Sequence, residues 1–101
     1  MGTLALTVHG EAAVEEFGKQ HAASRKPLAR FLVAVARAAT WKHFPEVTQT
    51  FAATAYAPAS GTLIFDIGGN KYRLIARVDF EEQMLFIQTV MTHEKYNREN
   101  L

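Results

Sequence analysis

A chain of 101 residues, 49% hydrophobic and 21% charged, has the composition of one folded globular domain, with length for a single core and not for two. The absence of cysteine removes disulfides, thiol nucleophiles and thiolate metal sites together. Lys and Arg number 11 against 10 Asp and Glu, a net charge of +1. Any surface for a polyanion must therefore come from where the cations sit, not from how many there are.

The N-terminal residues show no basic stretch leading into an apolar one, so no secretory signal is expected. Leu6 stands where the myristoylation pattern needs Ser or Thr. The expected address is the cytoplasm. Thr3 to Val8 reads as a short first strand. From Glu11 to Gln20, Ala13, Val14 and Phe17 recur at helical spacing, with Glu11, Glu15 and Glu16 outward. His21 to Ser24 is a turn. A second helix is expected from Arg25 to Ala39, with Pro27 tolerated in its first turn and Leu28, Phe31, Leu32, Val35 and Ala38 as its apolar stripe. Arg30 and Arg37 fall on its solvent edge. Phe31 to Ala36, between those arginines, is the longest apolar run and falls far short of the roughly 18 residues that span a bilayer. No membrane partner is expected.

Trp41, Phe44, Val47 and Phe51 are spaced for one face, with Pro45 as the start of a short third helix. Ala57 to Gly61 is the clearest break in the chain, and the period changes there from 3.6 to 2. Thr62 to Ile67, Tyr72 to Phe80 and Met84 to Met91 form an antiparallel meander, turned at Gly68-Gly69-Asn70 and Glu81-Glu82-Gln83. The fold class is α+β: an N-terminal strand and helices on a twisted antiparallel sheet with a C-terminal three-stranded meander, in a single domain over residues 1–101.

Chemistry gathers in the last third. Alternation along the middle strand turns Tyr72, Leu74, Ala76, Val78 and Phe80 toward the core. Lys71, Arg73, Ile75, Arg77 and Asp79 turn the other way. Three cations on one face are either a solvated sheet surface or a groove for a polyanion, in which Arg73 offers a planar fork to phosphate. Thr92 is a helix N-cap that puts His93 and Lys95 in the first turn of a terminal helix, with Tyr96 next along. His93 is either a surface histidine or a proton-transfer group. Asp66 and Asp79 can meet across the hairpin, where they read as surface residues or partners for Arg73 and Arg77 ahead of a catalytic carboxylate pair. His9, His21, His43 and His93 lack ligand spacing, so neither a metal nor another cofactor is expected. Gly68-Gly69 lacks the context of a dinucleotide loop and is a hairpin turn.

Phe65-Asp66-Ile67, then Gly69-Asn70-Lys71-Tyr72-Arg73-Leu74, then Thr92-His93-x-x-Tyr96 resemble, in order and spacing, the C-terminal part of HigB-type toxins of the RelE superfamily. The resemblance runs from about Trp41 to Tyr96. It implies a RelE-like fold, cleavage of mRNA on the translating ribosome, and neutralisation by a HigA-like helix-turn-helix antitoxin. Carried over by position, it implies Arg73 as phosphate clamp and His93 as proton-transfer group. Lys71 and Lys95 become electrostatic stabilisers and Tyr96 a base-stacking or hydrogen-bonding group. Apart from that carry-over, Asn70 and Arg77 are expected to bind RNA, Arg77 as one of the three cations on the outer face of the middle strand. Asn97 departs from the acidic residue such toxins often carry after the tyrosine. Two other readings use the same scaffold: a non-enzymatic toxin directed at gyrase or degenerate, and a plain RNA-binding module.

Overall fold

The computed structural model describes residues 6–37, 41–51, 54–57 and 61–99. In chain order they form β1 (Thr7–His9), α1 (Glu11–Gln20), a 3-10 turn (Ala22–Ser24), α2 (Arg25–Arg37), α3 (Phe44–Thr50), β2 (Thr54–Ala57), β3 (Thr62–Ile67), β4 (Tyr72–Asp79), β5 (Met84–Thr92) and α4 (His93–Glu99). The architecture is α+β. Five strands make one sheet in the order β1-β5-β4-β3-β2. β2 to β5 pair antiparallel, and β1 joins β5 in parallel.

The meander is where it was expected. β2 was not expected: Thr54 to Ala57 follows a helical pattern without a break and contains Ala55 and Ala57, weak strand formers, yet it pairs along β3 as an edge. Of the first strand, residues 3–5 lie outside the described residues, and pairing is seen from Thr7 to His9. Ala38 and Ala39, expected at the end of α2, and 58–60 of the expected break also lie outside them.

One face of the sheet carries the apolar core. Leu63, Phe65, Leu74, Ala76 and Leu85 from the strands meet Leu28, Phe31 and Val35 of α2, Trp41, and Val47 of α3. Phe31 lies edge-on to Phe65 with ring centres 4.9 Å apart, and Phe51 and Trp41 complete the aromatic cluster. Buried aromatics of this size supply the largest share of apolar area per residue.

Two local devices set the register of this layer. Gly10, at the N-cap of α1, has φ +88°, and a Cβ there would sit 2.3 Å from the Ile87 carbonyl oxygen. Only glycine allows the chain to turn so close beneath β5. Gln83, buried in the β4–β5 turn, accepts from the Trp41 N–H at 2.9 Å and donates to the Trp41 and Phe80 carbonyls. Its own carbonyl takes the Thr7 N–H at 2.9 Å. One side chain thereby ties the hairpin to the segment before α3 and its backbone holds β1. Leaving those buried groups unpaired would cost about 1–3 kcal/mol each.

Candidate functional site

The opposite sheet face is polar at the end where α4 turns back over β4 and β5. The His93 N–H donates to the Lys71 carbonyl at 2.9 Å, anchoring the start of α4 to the hairpin. The Thr92 hydroxyl accepts the Lys95 N–H at 3.1 Å, the N-cap expected there.

Arg73 is the centre of this end. It is 7% exposed, so the solvated-face reading of β4 fails at this residue: alternation gave its face correctly but said nothing of what covers that face. Its guanidinium has five N–H groups. Nε is 3.1 Å from Asp66 Oδ1; Nη1 donates to the Tyr72 carbonyl at 3.2 Å and the Asn70 carbonyl at 3.4 Å; Nη2 meets Asn70 Oδ1 at 2.5 Å and His93 Nδ1 at 2.7 Å. Five donors meet five acceptors. That saturation is what makes burial of the cation tolerable. Tyr96 lies with its ring centre 5.5 Å from the guanidinium carbon, a cation–π distance.

The strand register explains the pairing. Asp66 of β3 stands opposite Arg73 of β4, whereas Asp79 stands opposite Met84 and accepts the Glu82 N–H in the next turn. The two carboxylates do not meet across the hairpin, because β3 begins opposite Arg77 and Asp66 lies near its other end, opposite Arg73. Asn70 reaches Arg73 because it takes a left-handed backbone, φ +82°, at the hairpin corner, a conformation Asn tolerates.

An arginine cannot accept a hydrogen bond, so His93 Nδ1 must be the acceptor and the neutral ring carries its proton on Nε2. Nε2 lies 3.1 Å from the Asn97 amide nitrogen. An amide N–H facing a ring N–H is donor against donor and makes no hydrogen bond. Amide orientation is assigned from its neighbours, and here they require Asn97 Oδ1 to face Nε2. Asn97, noted in the sequence only as a departure, thus occupies the second nitrogen of the site histidine.

Arg73, His93, Tyr96 and Asn70 therefore come together, with Asp66 and Asn97 added by the fold. Lys71 and Lys95 are exposed beside this cluster, Lys71 on the hairpin and Lys95 on α4. Arg77 is exposed on the same sheet face, four residues farther along β4, about 13 Å away at strand rise. Among the described residues no helix is long and apolar enough to cross a membrane.

A family model described as HigB_toxin, the RelE-like toxic component of a toxin–antitoxin system, matches residues 24–99. The chain is similar to the mRNA interferase toxin HigB of Escherichia coli (strain K12), at 47% identity over 34 residues. The mRNA interferases HigB of Escherichia coli O157:H7 and Shigella flexneri match to the same extent. Each match covers 34% of this chain and 33% of the relative, so the aligned stretch spans about a third of the curated relatives.

Proposed function

The chain belongs to the family of RelE-like HigB toxins, the toxic components of toxin–antitoxin systems, and from that premise we propose that it is an mRNA interferase whose reacting groups are Arg73 and His93. The observation that carries this reading is the 2.7 Å contact between Arg73 Nη2 and His93 Nδ1. A guanidinium in contact with an imidazole lone pair supports a reading in which one group binds the phosphate and the other accepts the proton.

RNA brings its own nucleophile, the 2′-OH, so the protein has to align it, move protons and stabilise charge on the phosphate. In the free chain Arg73 has no uncommitted N–H. A phosphate binds by exchange: it takes N–H groups now held by His93 Nδ1 and by Asp66, which is one-third exposed and can return to water. Release of Nδ1 frees a lone pair beside the bound phosphate, where it accepts the 2′-OH proton. The 2′-oxygen then bonds to phosphorus and the bond to the 5′-oxygen breaks, leaving a 2′,3′-cyclic phosphate. The departing 5′-oxygen takes a proton from Lys71, Lys95 or Tyr96 at the rim. General acid–base transfer of this kind contributes about 10² to 10⁴-fold, and a preorganised cation at the phosphate about 10² to 10³-fold. Asn97 holds the His93 tautomer on which the sequence depends.

The same premise brings the partners: a HigA-like helix-turn-helix antitoxin, and mRNA on the ribosome in the cytoplasm. Induced expression of the native chain, Arg73→Ala and His93→Ala, with mRNA ends mapped by primer extension, tests the reading. Growth arrest with new mRNA ends, abolished by both substitutions, is the expected result. Arrest without cuts directs the toxin to another target such as gyrase. A folded chain that neither arrests growth nor cuts mRNA would sink the proposal.

A further inference from the structure

Beyond Arg73, the same sheet face carries an exposed aromatic in the middle of the sheet. Phe86 of β5 is 39% exposed, one of two large hydrophobic side chains exposed among the described residues. The strand register puts it in a row: His9 of β1 stands opposite Phe86, Phe86 opposite Arg77 of β4, and Arg77 opposite Thr62 of β3. The His9 and Phe86 rings are stacked, centres 5.2 Å apart and planes 23° from parallel. The Thr7 hydroxyl lies 3.4 Å from His9 Nε2. Arg77, Asp79, Phe86 and Gln88 line a groove of about 510 Å³, with Val78 and Phe80 behind them.

We infer that this row is a nucleobase subsite, a platform on which a base of single-stranded RNA stacks on Phe86 while Arg77 holds an adjoining phosphate. The inference rests on the RNA-cleaving reading above and adds to it where the strand lies outside the Arg73–His93 end. Three observations converge on this occupant. A flat exposed ring, extended by a second stacked ring, offers a π-face that any base can use. A cation stands next to it in the same cross-strand row, as a backbone phosphate requires. Arg73 and Arg77 lie on one face of one strand, about 13 Å apart, so a strand seated at one continues over the other. Sheets that present aromatics beside cations bind successive bases of single-stranded RNA in this way.

The polar rim suits a base edge. Asp79 Oδ1 is committed to the Glu82 N–H, which leaves the other carboxylate oxygen to accept from an exocyclic amine. Gln88 is exposed at the register shift between Ile75 and Ala76, where β5 contributes the extra residue. Two residues from Phe86 on the same strand, its amide faces the same side of the sheet and lines the groove.

The test is equilibrium binding of a short fluorescein-labelled single-stranded RNA, 2′-O-methylated throughout so that it cannot be cut, read by fluorescence anisotropy at low salt. Native protein is compared with Phe86→Ala, Phe86→Trp and Arg77→Gln, each checked for folding by circular dichroism. Loss of one base stack is expected to weaken binding about 5- to 150-fold in Phe86→Ala, with Phe86→Trp restoring it. Arg77→Gln is expected to flatten the salt dependence of binding. Equal binding by native protein and Phe86→Ala overturns the platform, as does no binding by the native chain; the exposed ring then belongs to a protein contact. Neither result touches the cleavage reading, which stands or falls on mRNA cuts. Conversely, Phe86-dependent binding by a chain that makes no cuts keeps the platform and removes the chemistry.

Discussion

Phe65 and Asp66 are neighbours on β3, and Leu74 and Arg73 are their opposites on β4, yet the two faces they supply are built on different physics. Phe65 and Leu74 are buried by shape: they close an aromatic cluster against α2 and α3, and any apolar side chain of similar volume would serve nearly as well. Arg73 is buried by count, with each of its N–H groups matched to an acceptor from Asp66, Asn70, Tyr72 or His93. The apolar face tolerates exchange and stores stability. The polar face tolerates almost no exchange and stores a geometry. A residue can be equally inaccessible on either face, so burial alone says nothing about which kind of site it belongs to.

The sharpest way to break the comparison is to damage each face separately. Phe65→Ala removes a ring from the fully buried cluster and is expected to lower unfolding free energy by about 3–5 kcal/mol. Cleavage per folded molecule should be unchanged, so denaturant titration and cleavage measured on the folded fraction separate the two. A comparable loss of activity per folded molecule would mean the two faces are coupled.

Arg73→Lys is the reciprocal experiment. The charge stays, but one ammonium cannot reach Asp66, Asn70 and His93 together, so the fork is lost. Cleavage is expected to fall about 10² to 10³-fold, with a loss of stability of about 1–3 kcal/mol for each buried acceptor left unpaired. Retention of activity in the lysine variant would show that charge alone suffices and that the count of donors is irrelevant.

The smallest expected effect falls on Asn97. Asn97→Ala removes one hydrogen bond to an exposed His93 edge and should reduce cleavage about 2- to 10-fold. Asn97→Asp keeps an acceptor and no donor, and should retain activity if Oδ1 faces Nε2. An aspartate variant as impaired as the alanine would reverse the assigned tautomer. Primer-extension intensity at a fixed induction level reads both.

Much of this molecule was legible residue by residue. β3 begins and ends at Thr62 and Ile67 and α1 at Glu11 and Gln20, as periodicity indicated, because a face that must be buried leaves an unbroken apolar spacing. The motif residues were legible as well: the Asn-Lys-Tyr-Arg hairpin and Thr-His-x-x-Tyr stand at the cluster they suggested. Other elements left no such trace. β2 was hidden because a short edge strand of Thr, Ala and Tyr gains its pairing from β3, not from its own composition. Gln83 and Asn97 were hidden because an amide acts through whatever lies beside it, and Trp41 is 42 positions from Gln83.

By itself, the sequence determined the periods, the turns, the family and the residue types gathered at the candidate site. Local sterics and apolar spacing act within a few residues, so they are written along the chain. Only the tertiary structure decided that Asp66 faces Arg73 and Asp79 does not, that α4 buries the guanidinium, and that Phe86 stays open beside Arg77. Those outcomes depend on strand register and on which element covers each face, and both are set by contacts between residues distant in the chain.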